Sequence, residues 1–71
     1  MIELTRRREL LGLSKQQLSF ASRVPAGVIG QAESGRFIPY RPQLERLAAA
    51  LEFAGDPDDL LKPVVDDQTA A

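Results

Sequence analysis

Apolar residues recur along this chain at spacings of three and four, and short polar or glycine-containing stretches separate the groups. That rhythm belongs to helices that each bury one face. Leu4, Arg8 and Leu11 share a stripe that predicts a first helix over 2–11, closed by Gly12. Ser14 is a natural N-cap for a second helix, and Gln17 completes a capping box with it. Leu13, just before the cap, is placed to staple against Leu18, and the helix should stop near Ser22. A third helix is predicted from about Pro25 to Gly35, because proline suits a helix start and glycine a helix end. A loop over 36–40 leads to Arg41-Pro42, which opens a fourth helix with Leu44, Leu47, Ala48 and Leu51 on one face. Gly55 should break it. Asp56-Pro57 then opens a short fifth helix, with Asp58 and Asp59 at the positive end of its dipole and Leu60, Leu61 and Val64 available to cover a core. No sustained alternation marks a strand. The expected fold class is all-α: a compact five-helix domain over 1–65, with a disordered tail over 66–71.

The third segment, PAGVIGQAESG, is unusual for a helix, because it carries three glycines and few side chains able to form specific contacts. About three residues join it to the second helix, a joint tight enough to make two helices cross steeply. Such packing needs a small residue on the second helix and two apolar residues under the third. Ser19, Val24 and Ile29 meet that need.

With these residues in place, the stretch from Leu4 to Leu51, about two-thirds of the chain, resembles the lambda- and 434-repressor-like helix-turn-helix family, the Cro/cI or xenobiotic-response-element type. The resemblance rests on Leu4 and Arg8, Gly12-Leu13-Ser14, Leu18, Val24, Ile29, the Glu33-x-Gly35 ending, Pro39, and Leu44, Leu47, Ala48 and Leu51. It implies a lambda-repressor-like fold with the helix-turn-helix over about 14–35. In this family the third helix enters the major groove. The resemblance also implies an ion pair between Arg8 and Glu33. Lys15 and Gln16 would begin the second helix beside phosphate. Ala26, Gly27 and Gln31 would meet base edges, with Gln31 able to bond adenine and with Ala26 and Val28 against thymine methyls. Ser34, Arg36 and Arg41 would line the next stretch of backbone, Arg41 approaching the minor groove.

Net charge is −1, which alone disfavours nucleic acid, but its distribution is uneven. Eight cations face four anions from Met1 to Arg46, a net +4, whereas one cation faces six anions from Leu47 to Ala71, a net −5. A basic front can steer one face toward phosphate. The chain contains neither cysteine nor histidine, so disulfides, thiolate zinc sites and His-dependent catalysis are excluded. It is read as a binding protein, not an enzyme, with no metal or other cofactor. The N-terminal MIELTRRREL lacks a signal-peptide core, and no apolar run could span a bilayer, so a cytoplasmic location and no membrane partner are expected.

Three further expectations follow. Arg23 stands where the family usually has glycine, so a left-handed backbone there would be strained. Phe20 is expected to pack, and the Arg6-Arg7-Arg8 run to be mainly solvated surface. The function expected from the resemblance is a sequence-specific transcriptional regulator, a repressor, binding double-stranded DNA as a homodimer through Leu51, Phe53, Leu60, Leu61 and Val64. The alternative is a protein-interaction module on the same fold.

Overall fold

The computed structural model describes residues 1–64. It contains four α-helices, α1 (Glu3–Leu10), α2 (Lys15–Ser22), α3 (Ala26–Glu33) and α4 (Arg41–Ala50), followed by a 3₁₀ helix, Pro57–Leu61. The segment 66–71, expected to be a disordered tail, lies outside the described residues, as does Val65.

Local chemistry accounts for most boundaries. The capping box at the start of α2 is formed: the Gln17 N–H donates to Ser14 Oγ at 3.0 Å, and the Ser14 N–H donates to Gln17 Oε1 at 2.8 Å. Helices α1, α3 and α4 end in the same motif. Their closing bonds are Leu13 N–H to Arg8 carbonyl (3.1 Å), Arg36 N–H to Gln31 carbonyl (2.8 Å) and Phe53 N–H to Ala48 carbonyl (2.8 Å). That motif needs one residue in the left-handed region. Gly12 (φ 69°) and Gly35 (φ 79°) supply it for α1 and α3, but α4 uses Glu52 (φ 55°), so α4 ends well before Gly55.

Helix α2 ends on Arg23 at φ 60° and ψ 27°, its N–H bonded to the Ser19 carbonyl at 2.7 Å. The left-handed joint anticipated at the turn is therefore real, and an arginine occupies it. An L-residue there costs on the order of 1 kcal/mol. Arg23→Gly should accordingly raise stability by about 1 kcal/mol, read from the midpoint of urea unfolding. A variant no more stable than the parent would mean the arginine side chain compensates the strain.

The fifth helix is not an α-helix. Its bonds run from the Asp59 N–H to the Asp56 carbonyl (2.8 Å) and from the Lys62 N–H to the Asp59 carbonyl (3.1 Å), a three-residue spacing. Pro63 is the reason it stays so short, because a residue before proline is driven out of the helical region, and Lys62 sits extended at ψ 145°. Asp56 does cap this element, accepting the Asp58 N–H at 3.0 Å, so its carboxylate has a structural role.

The core collects one or more side chains from every element. Leu4, Leu18, Ile29, Leu47 and Leu60 are fully buried, with Val24, Ala32, Ala48 and Leu51 beside them. This corrects the dimer surface expected from sequence: Leu51 and Leu60 are in the interior of the monomer, and Phe53 is half-buried with the Arg7 guanidinium 5.0 Å from its ring centre. Two leftover leucines looked like an interface only because the sequence does not show that the 3₁₀ helix folds back onto α1 and α4. The termini of the described segment are joined as well. An isolated antiparallel bridge pairs Ile2 with Pro63, through Glu3 N–H to Lys62 carbonyl and Val64 N–H to Met1 carbonyl, each 2.9 Å. Among the described residues no helix is long and apolar enough to cross a membrane.

Candidate nucleic-acid interface

Between α2 and α3 stand only Arg23, Val24 and Pro25. Val24 turns inward, 1% exposed, and Ile29 follows it into the core at 0%. Ser22 is also buried, its hydroxyl donating to the Leu18 carbonyl at 2.7 Å and accepting the Val24 N–H at 3.3 Å. This hydroxyl ties the end of α2 to the turn, a part the sequence reading did not assign. The signal was a serine four residues after Leu18, on the buried side of an amphipathic helix.

Pinning Ile29 and Ala32 inward fixes what α3 shows outside. Gly27 and Gln31 are exposed and Ala26 is half-exposed, so the predicted reading edge does face solvent. Val28 belongs to it less than expected: it is half-buried and packs against the hydrophobic cluster. The start of α2 lies alongside. The Lys15 Cδ and Nζ atoms are each 4.0 Å from where a side-chain carbon at Gly30 would stand, so the lysine lies against α3. Gln16 is exposed next to it. The structure thus brings Lys15 onto the α3 surface, and the sequence-predicted residues of the two helices adjoin.

At the far end of α3, Ser34 and Arg36 are exposed, and the Ser34 hydroxyl donates to the Gln31 carbonyl at 3.0 Å. Arg41 is different. It starts α4 and is enclosed by acid: its guanidinium is 2.9 Å from Asp58, 3.3 Å from Asp56 and 3.4 Å from Glu45.

Other cations are also engaged. Arg8 makes a two-pronged pair with Glu33 at 2.7 and 3.1 Å and donates its remaining Nη1–H to the Leu13 carbonyl at 2.8 Å. The expected ion pair is present, and hydrogen bonding to Glu33 pushes the Arg8 pKa up against the opposing effect of burial. Arg7 and Arg6 both bond Glu3, at 2.6 and 3.0 Å. The Glu3 carboxyl is held below its ordinary value of 4.5 by the bond from Arg7, with partial burial opposing and Arg6 reinforcing. Arg6 and Arg7 thus share one carboxylate on their own helix, and Arg8 is paired across to α3. Among the described residues, the cations of the basic front with no carboxylate in ion-pair range are Lys15, Arg23, Arg36 and Arg46. Two of these four, Lys15 and Arg36, flank α3.

Phe20, expected to pack, is 85% exposed. It follows Leu18 by two residues, which turns it about 200° round the helix from the buried face. Comparison with protein-family models, with curated proteins and with solved structures found no match to this chain.

Proposed function

We propose that this protein is a sequence-specific DNA-binding regulator, a repressor, that lays α3 in the major groove. The observation that supports this reading is the outer surface of α3: a small-residue edge with one amide, Gln31, backed by Lys15 at the start of the neighbouring helix, which has no carboxylate in ion-pair range among the described residues. A bare edge lets backbone approach base pairs closely, an amide reads adenine, and a lysine at a helix N-terminus meets phosphate. The resemblance of the Leu4–Leu51 pattern to phage-repressor domains points the same way. A module this small contacts few phosphates, so a homodimer on a two-fold site belongs to the proposal.

The test is an anisotropy titration against duplex DNA at several salt concentrations, after selection of a preferred sequence from random DNA. Affinity should fall with rising salt, and Lys15→Ala should make that dependence shallower by about one phosphate contact on every sequence. Gln31→Ala should instead relax preference at one base position by about 1–3 kcal/mol. Binding insensitive to salt, or none at low salt, would rule the reading out and favour a protein-interaction module.

The glycines of α3 allow a sharper test. A methyl group at residue 27 meets nothing within 4 Å, and one at residue 30 meets only Lys15 at van der Waals distance. Gly27→Ala and Gly30→Ala should therefore each stabilise the fold by about 0.8–1 kcal/mol. If α3 sits close against base pairs, Gly27→Ala should nevertheless weaken duplex binding. A variant that is both more stable and equally tight would remove the rationale for the bare edge.

A further inference from the structure

Lys15 and Arg36 flank α3, but the other two cations with no carboxylate in range among the described residues, Arg23 and Arg46, meet elsewhere. Both line one open cleft of about 340 Å³, together with Ala21, Ser22, Ala49 and Ala50. The cleft lies where the end of α2 meets the second half of α4, two helices that pack together. Alanines at 21, 49 and 50 leave the gap that larger side chains would fill. Arg46 stands three and four residues before Ala49 and Ala50, so it shares their face of α4.

The fold makes no use of either guanidinium. Neither donates a side-chain hydrogen bond within the described residues. For Arg23 this is costly, because its backbone is left-handed at φ 60°, where glycine would sit without strain. The negative end of the α2 dipole favours a cation there, but any cation would serve it, and it leaves the guanidinium donors open. The Ser22 hydroxyl is spent inward, between the Leu18 carbonyl and the Val24 N–H, so the two arginines are the charged donors the cleft presents. A strained residue whose side chain finds no partner in its own molecule points to a partner outside it.

We propose that this cleft binds a small organic dianion, a phosphate monoester with a compact apolar body. A phosphate concentrates nearly two charges and three acceptor oxygens in one group, which suits two planar guanidinium forks on one cleft. The alanine methyls supply an apolar floor for the rest of the molecule. The volume is at the small end of ligand sites, which limits that body to about one ring. The site stands apart from the DNA-binding reading, since no residue of α3 lines it.

Phenyl phosphate is the probe, titrated into the full chain and followed by two-dimensional NMR of backbone amides and arginine side chains. Saturable shifts should centre on residues 21–23, 46, 49 and 50, with a Kd in the millimolar range or tighter. Inorganic phosphate, which lacks the ring, and benzoate, which carries one charge, should each bind several-fold more weakly. Arg23→Gly and Arg46→Gln should each weaken phenyl phosphate by about fivefold or more, the worth of one good exposed ion pair. Arg23→Gly relieves backbone strain, so its loss of binding cannot be laid to unfolding. Lys15→Ala should leave the affinity unchanged. No saturation by about 10 mM, or shifts spread equally over Lys15 and Arg36, would overturn the site. So would full affinity in either arginine variant, and benzoate binding as tightly as phenyl phosphate would overturn its assignment to a dianion.

Discussion

Replacing Arg8 with methionine is expected to lower stability by about 3 kcal/mol, at the low end of what breaking one half of a buried pair usually costs. A domain of this length holds about 4–10 kcal/mol in total, so the loss is a large part of it. The Arg8 side chain is 13% exposed and that of Glu33 8%, which places the pair at the protein boundary but mostly out of water. Methionine retains the apolar stem of the arginine. What it removes is three donated hydrogen bonds, two to the Glu33 carboxylate and one to the Leu13 carbonyl. The carboxylate is then left desolvated and alone, and that residual charge dominates the effect. A second substitution separates charge isolation from lost packing. Arg8→Met combined with Glu33→Leu should recover most of the loss, because the unpaired charge disappears with its partner. Urea unfolding followed by circular dichroism measures both variants. If Arg8→Met stays within about 0.5 kcal/mol of wild type, the pair is no more than a surface contact.

Ile29→Ala is expected to cost about 4 kcal/mol and to loosen α3 before the rest of the fold. Isoleucine-to-alanine changes in a packed interior cost about 2–5 kcal/mol, from lost burial and from the cavity left behind. The upper half of that range applies because α3 buries little other apolar surface. Its other buried residue, Ala32, is small, and Val28 is only half-buried. Gly27 and Gly30 weaken the helix by roughly 0.8–1 kcal/mol each relative to alanine. Hydrogen exchange should therefore show α3 amides losing protection before those of α2 and α4. Phe20→Ala is the control. At 85% exposure it should change stability by less than about 0.5 kcal/mol. A cost below about 1 kcal/mol for Ile29→Ala would mean that packing beneath α3 is not what seats it.

The residues that were legible in the sequence were those whose roles are local. Ser14 and Gln17 form their box because a serine cap and a glutamine three residues on satisfy each other's backbone donors within one turn. Gly12 and Gly35 close helices because only a left-handed residue completes those bonds, and glycine takes that conformation without strain. Leu44, Leu47, Ala48 and Leu51 are buried as their spacing required, since a helical period of 3.6 puts them on one face. Ile29 is buried, and Gly27 and Gln31 exposed, for the same periodic reason, and Val24 is buried from the turn before them.

The misreadings concern longer range. Phe20 was expected to pack on the strength of its hydrophobicity, but its angular position faces it away from the core. Leu51 and Leu60 were read as free for a partner because the path of the chain after Gly55 was unknown. Asp56 and Asp58 belong to the acidic back of the sequence, yet space puts them around an arginine of the basic front, so charge separation along the chain is not charge separation on the surface.

The sequence by itself determined where four helices start, where α1, α2 and α3 stop, most of each apolar face, and which edge of α3 is left bare, because caps, glycines and periodicity act over a few residues. Tertiary structure alone decided which of the remaining charges are spent on one another. Besides closing the Arg8–Glu33 pair that the resemblance implied, it set Arg41 against Asp56 and Asp58, and it left Lys15 and Arg36 unpaired beside α3 among the described residues. Coulomb attraction depends on distance through space, and separations of 25 or 15 positions along the chain become about 3 Å only when the core has closed.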